Sequence, residues 1–189
     1  MRVPLLGLLI CLVTAVSSGA AETVEILRDN FGTPHIFART SSGAAYGAGY
    51  AQAEDRKDAL LRNLRSTQIT DGLALAPRMQ RIVEAFCAGI NRFLAEHKDA
   101  AAPVTPAMVV AYSRRAFATI HGSNDVLIGP ERSTSGNVIA ILDPLSGWNE
   151  DGRPYEMRWY AAEEQIELSG VAPAGIPFPI IGHSNSLAI

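Results

Sequence analysis

The feature that most constrains this chain is a change of hydrophobic period near residue 120. Before it, apolar residues recur at helical spacing, with Leu60, Leu61 and Leu64 closing one run. Ile82, Phe86, Ile90 and Phe93 form the stripe of another, each spaced to share one face of a 3.6-residue helix. After it, Val126-Leu127-Ile128 and Val138-Ile139-Ala140-Ile141-Leu142 are short apolar runs bounded by turns, as strands are. Helices that dominate the first half and strands that dominate the second predict an α+β fold, with helices packed on a largely antiparallel sheet.

The finer reading begins at Val24 and Ile26, which alternate with polar neighbours as in a half-buried strand. Asp29-Asn30-Phe31-Gly32 reads as a turn and Pro34-His35-Ile36-Phe37 as a second strand, which together predict a hairpin. Ser41 and Ser42 can cap a helix that runs to Leu64. Gly47 and Gly49 inside it each cost about 1 kcal/mol of helix propensity, so a packing reason is expected for them. A second helix is predicted from Arg78 to His97, a linker over Ala100 to Pro106, and a short helix from Met108 to Phe117. Further strands are predicted at Tyr155 to Tyr160, Gln165 to Val171 and Phe178 to Ile181.

Residues 1–21 stand apart. Arg2 precedes a continuous apolar run from Leu5 to Val16, and Ser17 to Ala21 are small. This order is that of a secretory signal peptide cut near Ala21, and the run is shorter than the roughly 20 residues that span a bilayer. Export to the periplasm or the medium is therefore expected, with no membrane association after cleavage. Cys11 lies in this leader, which leaves Cys87 alone and predicts a small buried residue on a helix face rather than half of a disulfide.

Composition removes several classes of function. The net charge is −3 across 189 residues and no Lys/Arg run occurs, so nucleic acid is not an expected partner. His35, His97, His121 and His183 are scattered without paired ligand spacing, and no metal or other cofactor is expected. No serine sits in a G-x-S-x-G elbow. What remains is His121-Gly122-Ser123-Asn124, where the helical half meets the first strand of the β half. Gly-Ser in a loop is by itself most often a turn. Cutting Gly122–Ser123, however, would leave the Ser123 hydroxyl beside its own α-amine, which titrates near pH ~8 and can take the hydroxyl proton. The same hydroxyl could attack the Gly122 carbonyl to make the cut.

Val24-Glu25-Ile26-Leu27-Arg28-Asp29-Asn30-Phe31-Gly32-Thr33-Pro34-His35-Ile36 resembles the opening of the penicillin acylase family of N-terminal-nucleophile hydrolases. Tyr46-Gly47-Ala48-Gly49-Tyr50 through Ala53-Glu54-Asp55-Arg56, and Ala88-Gly89-Ile90-Asn91-Arg92-Phe93-Leu94, resemble two of its helices. Ser123-Asn124 resembles its β-subunit start. Glu131-Arg132-Ser133, Asp143-Pro144, Gly175-Ile176-Pro177 and Gly182-His183 follow in family order. Ser-Asn followed by Glu131-Arg132-Ser133 and Trp148 is most similar to the acyl-homoserine-lactone and aculeacin-type acylases.

The resemblance implies part of a four-layer αββα fold and an amidohydrolase that cuts a linear amide. It implies an α-subunit-like segment at 22–122 with a shortened spacer, and the start of a β-subunit-like segment at 123–189. Ser123 would be nucleophile and base, Gly122 its partner at the self-cleavage site. A small-molecule amide is the implied substrate, in antibiotic metabolism or quorum quenching. The implied assembly is an α/β heterodimer, with a remainder of the β-subunit encoded separately.

The chain departs from the family at Leu145, where a hydrogen-bonding side chain is usual, and in the short stretch from Lys98 to Gly122. The family's oxyanion groups lie after Ile189, so Asn185 is not assigned to that role. A catalytically incompetent remnant serving as an exported binding domain is the alternative. Arg28, Asp29, His35 and Glu54-Asp55-Arg56 are expected to make turn hydrogen bonds and ion pairs around the first helix.

Overall fold

The computed structural model describes the backbone over residues 10–17, 19–67, 74–119, 123–144 and 153–188, with side chains over 22–67, 74–118, 124–143 and 153–188. Among the described residues eight strands and three α-helices run in the order β1 (Ile10–Ser17), β2 (Gly19–Arg28), β3 (Pro34–Ala38), α1 (Ser41–Arg65), α2 (Pro77–Glu96), α3 (Pro106–Thr119), β4 (Ser123–Ile128), β5 (Ile139–Pro144), β6 (Tyr155–Ala161), β7 (Ile166–Ala172) and β8 (Ile181–Ser184). The mixed α+β class and the helix-then-strand order agree with the sequence pattern.

The expected hairpin is β2–β3. Asp29 closes its turn by accepting from the amides of Phe31 at 2.9 Å and Thr33 at 3.0 Å through one carboxylate oxygen. Gly32 takes φ +82° there, a conformation that favours glycine. β3 then pairs in parallel with β6, and β6, β7 and β8 continue antiparallel. The resulting sheet has the order β1-β2-β3-β6-β7-β8. The stretch read as an export leader supplies its outer strand, β1, paired antiparallel to β2.

Helix α1 lies across one face of this sheet, over Val24, Ile26, Ile36, Met157 and Trp159, all essentially buried. Its two glycines serve opposite sides. A Cβ on Gly47 would fall 2.5 Å from Ile36 Cγ2, so its absence lets the helix press on the sheet. A Cβ on Gly49 would fall 2.2 Å from the Phe86 carbonyl oxygen of α2. The expected packing reason is thus present at both. Thr40, not Ser41 or Ser42, caps α1: its hydroxyl oxygen accepts from the Gly43 amide at 3.1 Å. Ser41 is diverted because both its amide and its hydroxyl donate to Glu164, beyond the end of β6.

α2 buries Ile82, Phe86, Ile90 and Phe93, the predicted stripe. α3 closes the helical layer through Val109, Tyr112 and Ala116. Residues 100–105 are linker as expected, held by Asn91, which donates to the Val104 carbonyl at 2.9 Å and accepts from its amide at 2.8 Å.

One strand expectation is corrected. The strand placed at Phe178 to Ile181 begins only at Ile181, because Pro177 and Pro179 lack the N–H that a ladder needs. The sheet is largely antiparallel as expected, with β3–β6 its one parallel pairing among the described residues. Among the described residues the helices cover one face of the six-stranded sheet, and β4–β5 forms a separate two-stranded sheet.

Candidate active site

Ser123 opens β4, directly after the segment that leaves α3. Its backbone pairs with Pro144 of β5, and Asn124 pairs with Asp143. Asn124 Nδ2 lies 3.4 Å from Asp143 Oδ2, a side-chain bond one residue inside the strand start. Pro144 has no N–H, so the strand opposite Ser123 can accept from it but not donate to it. Gly122 and His121 lie outside the described residues, as do Leu145 and Trp148. The structure therefore places the main chain of the candidate nucleophile at a strand start, and a cut on its N-terminal side would leave the α-amine there.

The other residues singled out in the sequence gather elsewhere, into a clamp between β2, α1 and β6. Arg28 donates to Glu54 at 2.5 Å, to Asp55 at 2.8 Å and to the Gly32 carbonyl at 3.0 Å. Tyr155 of β6 donates its hydroxyl to the same Asp55 at 2.6 Å. Burial opposes the charge on Arg28, but the bond to Glu54 and the charge and bond of Asp55 outweigh it and hold the guanidinium above its usual range. Burial, followed by the Asp55 charge, pushes the Tyr155 hydroxyl well above its ordinary value, so it remains a donor at neutral pH. Arg56 sits over the Tyr155 ring at 5.9 Å, within cation–π range. Asp29 Oδ2 lies 3.5 Å from His35 Nε2. These contacts are the turn bonds and ion pairs expected around the first helix, and they join three elements rather than face a cleft.

Cys87 is buried on α2, and burial pushes its thiol up to about 12. It remains a neutral thiol, inert as a nucleophile at physiological pH.

Sequence reasoning missed two buried amides of α1. Gln52 donates to the Ile176 carbonyl at 2.9 Å and accepts from the Gly175 amide at 2.9 Å. Asn63 donates to the Ala174 carbonyl at 2.9 Å. Between them they anchor the segment after β7 to α1. The available signal was their position: Gln52 sits among alanines on the small-residue side of the helix, where a polar group demands a partner. Among the described residues no group of three or more His, Cys, Asp or Glu side chains is placed to hold a metal.

The penicillin amidase family model matches residues 23–65 and 105–189. The interval 66–104, which includes the Ala88–Leu94 stretch, falls outside that match. Acyl-homoserine lactone acylase PvdQ of Pseudomonas fluorescens (strain Pf0-1) is 24% identical over 260 residues, which takes in 92% of this chain and 33% of the relative. The PvdQ acylase of Pseudomonas savastanoi pv. phaseolicola (strain 1448A / Race 6) is 23% identical, over 89% of this chain and 33% of its own. The chain spans about a third of the length of these relatives. Among solved structures, a thermostable penicillin G acylase from Alcaligenes faecalis in tetragonal form aligns with 51% of this chain and 73% of its own, at 22% identity and a TM-score of 0.46.

Proposed function

This chain belongs to the penicillin amidase family, and from that premise we propose that it is the leading part of an exported amidohydrolase that uses Ser123 as its nucleophile. The observation that carries the reading is the position of Ser123: the first residue of β4, behind a Gly, inside the 105–189 stretch that the family model matches.

The chemistry proceeds in balanced steps. The Ser123 hydroxyl first attacks the Gly122 carbonyl; the Gly122–Ser123 C–N bond breaks as the ester forms, which frees the Ser123 α-amine with the hydroxyl's proton, and water then hydrolyses the ester to the Gly122 carboxylate and the free Ser123 hydroxyl. In turnover that amine takes the hydroxyl proton while Oγ attacks the carbonyl of a linear acyl amide. The amine takes the proton on leaving, and an acyl-Ser123 ester remains. Water then hydrolyses the ester to a carboxylic acid and restores Ser123. Acyl-homoserine lactones and phenylacetyl amides are the substrate classes to try first, the former because the PvdQ acylases are the matched relatives.

Export with cleavage near Ala21 is part of the proposal. It would remove β1 and leave β2 as the outer strand of the six-stranded sheet. Glu22 would then be the first residue. It is already seated, buried, at the start of α1, where Thr40 donates to its carboxylate at 3.0 Å. The remaining partner is a β-rich polypeptide completing the β-subunit, to give an α/β heterodimer after processing. The β4–β5 hairpin supports this, because it is apolar on both faces. Val126, Ile128, Ile139 and Ile141 share one side; Leu127, Ala140 and Leu142 share the other. A strand pair of that kind belongs between two covering layers.

A second reading, an exported binding domain without turnover, is favoured by Leu145 in the place of a hydrogen-bonding residue. Losing even one oxyanion donor typically costs about 10²–10³ in rate. Intact-mass measurement of the purified chain separates the two. Fragments split at Gly122–Ser123, absent in Ser123→Ala, support the hydrolase. A chain that stays whole when co-produced with the polypeptide encoded downstream, and turns over neither substrate class, leaves the binding domain.

A further inference from the structure

The bond that export would cut lies inside a paired strand. β2 runs from Gly19 to Arg28, so Ala21 and Glu22 both belong to it. β1 lies antiparallel along it, with Ala15 opposite Glu22, Thr14 opposite Thr23, Val13 opposite Val24 and Leu12 opposite Glu25. Ser17 pairs with Gly19 where the chain reverses, and the register shifts between Ala15 and Ser17. The Ile10–Ser17 stretch of the leader is therefore no free tail. It forms a ladder with the residues just beyond the cut.

Glu22, on the far side of that bond, is held by its side chain as well. It is 7% exposed. Its Oε1 accepts from the Thr40 hydroxyl at 3.0 Å, and Arg39 Nε stands 3.5 Å from its Oε2. The carboxylate lies over the first turn of α1, where a Cβ on Gly43 would fall 1.4 Å from Oε1. Only glycine leaves room for it there. A negative charge at a helix N-terminus also meets the positive end of the helix dipole. This seat exists only once α1 has formed and packed against β2.

A peptidase must reach the backbone on both sides of the bond it cuts, so it acts on exposed or locally opened chain. Here β1 occupies one edge of the segment and α1 holds the Glu22 side chain. We propose that folding shields the Ala21–Glu22 bond, so that leader removal comes before β2 docks on α1. A chain that folds first keeps its leader as β1. The cut itself adds water across the bond and leaves the Ala21 carboxylate and the Glu22 ammonium group. This timing rests on the reading of residues 1–21 as an export leader, and it makes no use of Ser123. Both the β1 ladder and the Glu22 seat contribute to the shield, and loosening the ladder opens it.

The test adds signal peptidase in detergent micelles to the full chain made by cell-free synthesis. In one arm the peptidase is present from the start; in the other it is added after synthesis and folding are complete. Intact mass reports the cut. Cutting after Ala21 is expected in the early arm, and about ten-fold or more slower in the late arm. Ladder bonds alternate along an antiparallel strand, so one of the neighbours Val13 and Thr14 supplies an N–H to β2. Of Val13→Pro and Thr14→Pro, at least one should speed the late arm and leave the early arm unchanged. Equal rates in the two arms of the unaltered chain overturn the inference and leave the export reading standing. A late arm that neither substitution speeds also overturns it. An absence of cutting in both arms sinks the export reading, and this inference with it.

Discussion

Gly49 of α1 and Gly89 of α2 meet backbone to backbone where the two helices cross. A Cβ on Gly49 would lie 2.2 Å from the Phe86 carbonyl oxygen, and one on Gly89 would lie 2.0 Å from that of Tyr46. Both obstacles are main-chain atoms, which cannot rotate aside, so any side chain must push the helices apart. Gly89→Ala gains about 1 kcal/mol of helix propensity but overpacks a close contact, which typically costs about 1–3 kcal/mol. The contact wins because α1 also bears on the sheet through Gly47. Gly89→Ala and Gly49→Ala are each expected to lower the urea midpoint. A midpoint raised in either would show that the helices do not cross there.

Tyr155 ties β6 to α1 by one short bond to Asp55. Removing its hydroxyl leaves Asp55 with Arg28 as a partner, so no carboxylate is stranded. The loss is then that of one hydrogen bond to a charged acceptor, about 1.5–3 kcal/mol. Tyr155→Phe should unfold at a correspondingly lower denaturant concentration. Arg28→Ala should cost at least as much, because it releases Glu54, Asp55 and the Gly32 carbonyl together. Chemical denaturation of both variants checks the order.

How much of this was legible depends on how local the signal is. α2 was readable end to end, because Ile82, Phe86, Ile90 and Phe93 repeat at helical spacing and the chain needs no distant partner to show it. The β2–β3 turn was readable from Asp29 and Gly32, residues whose chemistry acts within four positions. The parallel pairing of His35 with Arg158 was not, since it joins residues more than a hundred positions apart. The cap of α1 was misplaced for the same reason: Ser41 is a good capping residue, but Glu164 claims it. The place of Ser123 in order after Gly122 was plain in the sequence. Its strand partner Pro144 was visible only once β4 and β5 had paired.

Glu164 gives a pH dependence of definite sign. Burial pushes its carboxyl up, but hydrogen bonds from the Ser41 hydroxyl and amide and from Arg78 outweigh this and hold it below its ordinary value. A group depressed in the folded state contributes stability above its unfolded value, about 4.3 for glutamate, and loses it as pH falls through the folded value. Glu164→Gln should therefore be less stable than the parent chain at pH 7. The gap should close progressively as pH falls below about 4. Urea midpoints of both proteins between pH 3 and 7 test this, and a gap that widens in acid contradicts it.

The β4–β5 hairpin is the place where this chain alone should behave worst. Leu127 is 68% exposed and Ile141 54%, on opposite faces, and neither is part of the buried core. Exposed apolar strands with an open edge pair with other chains unless something covers them. Leu127→Lys and Ile141→Thr place polar groups on the two faces without removing any buried contact, so their effect on folding stability should stay within about 0.5 kcal/mol. Soluble yield of the isolated chain should rise, and binding of a hydrophobic dye should fall. If the hairpin instead belongs between layers supplied by a β-rich partner, the same substitutions should reduce recovery of the co-produced complex. An isolated chain that is already soluble and monomeric, with no gain from either change, would show that these faces need no cover.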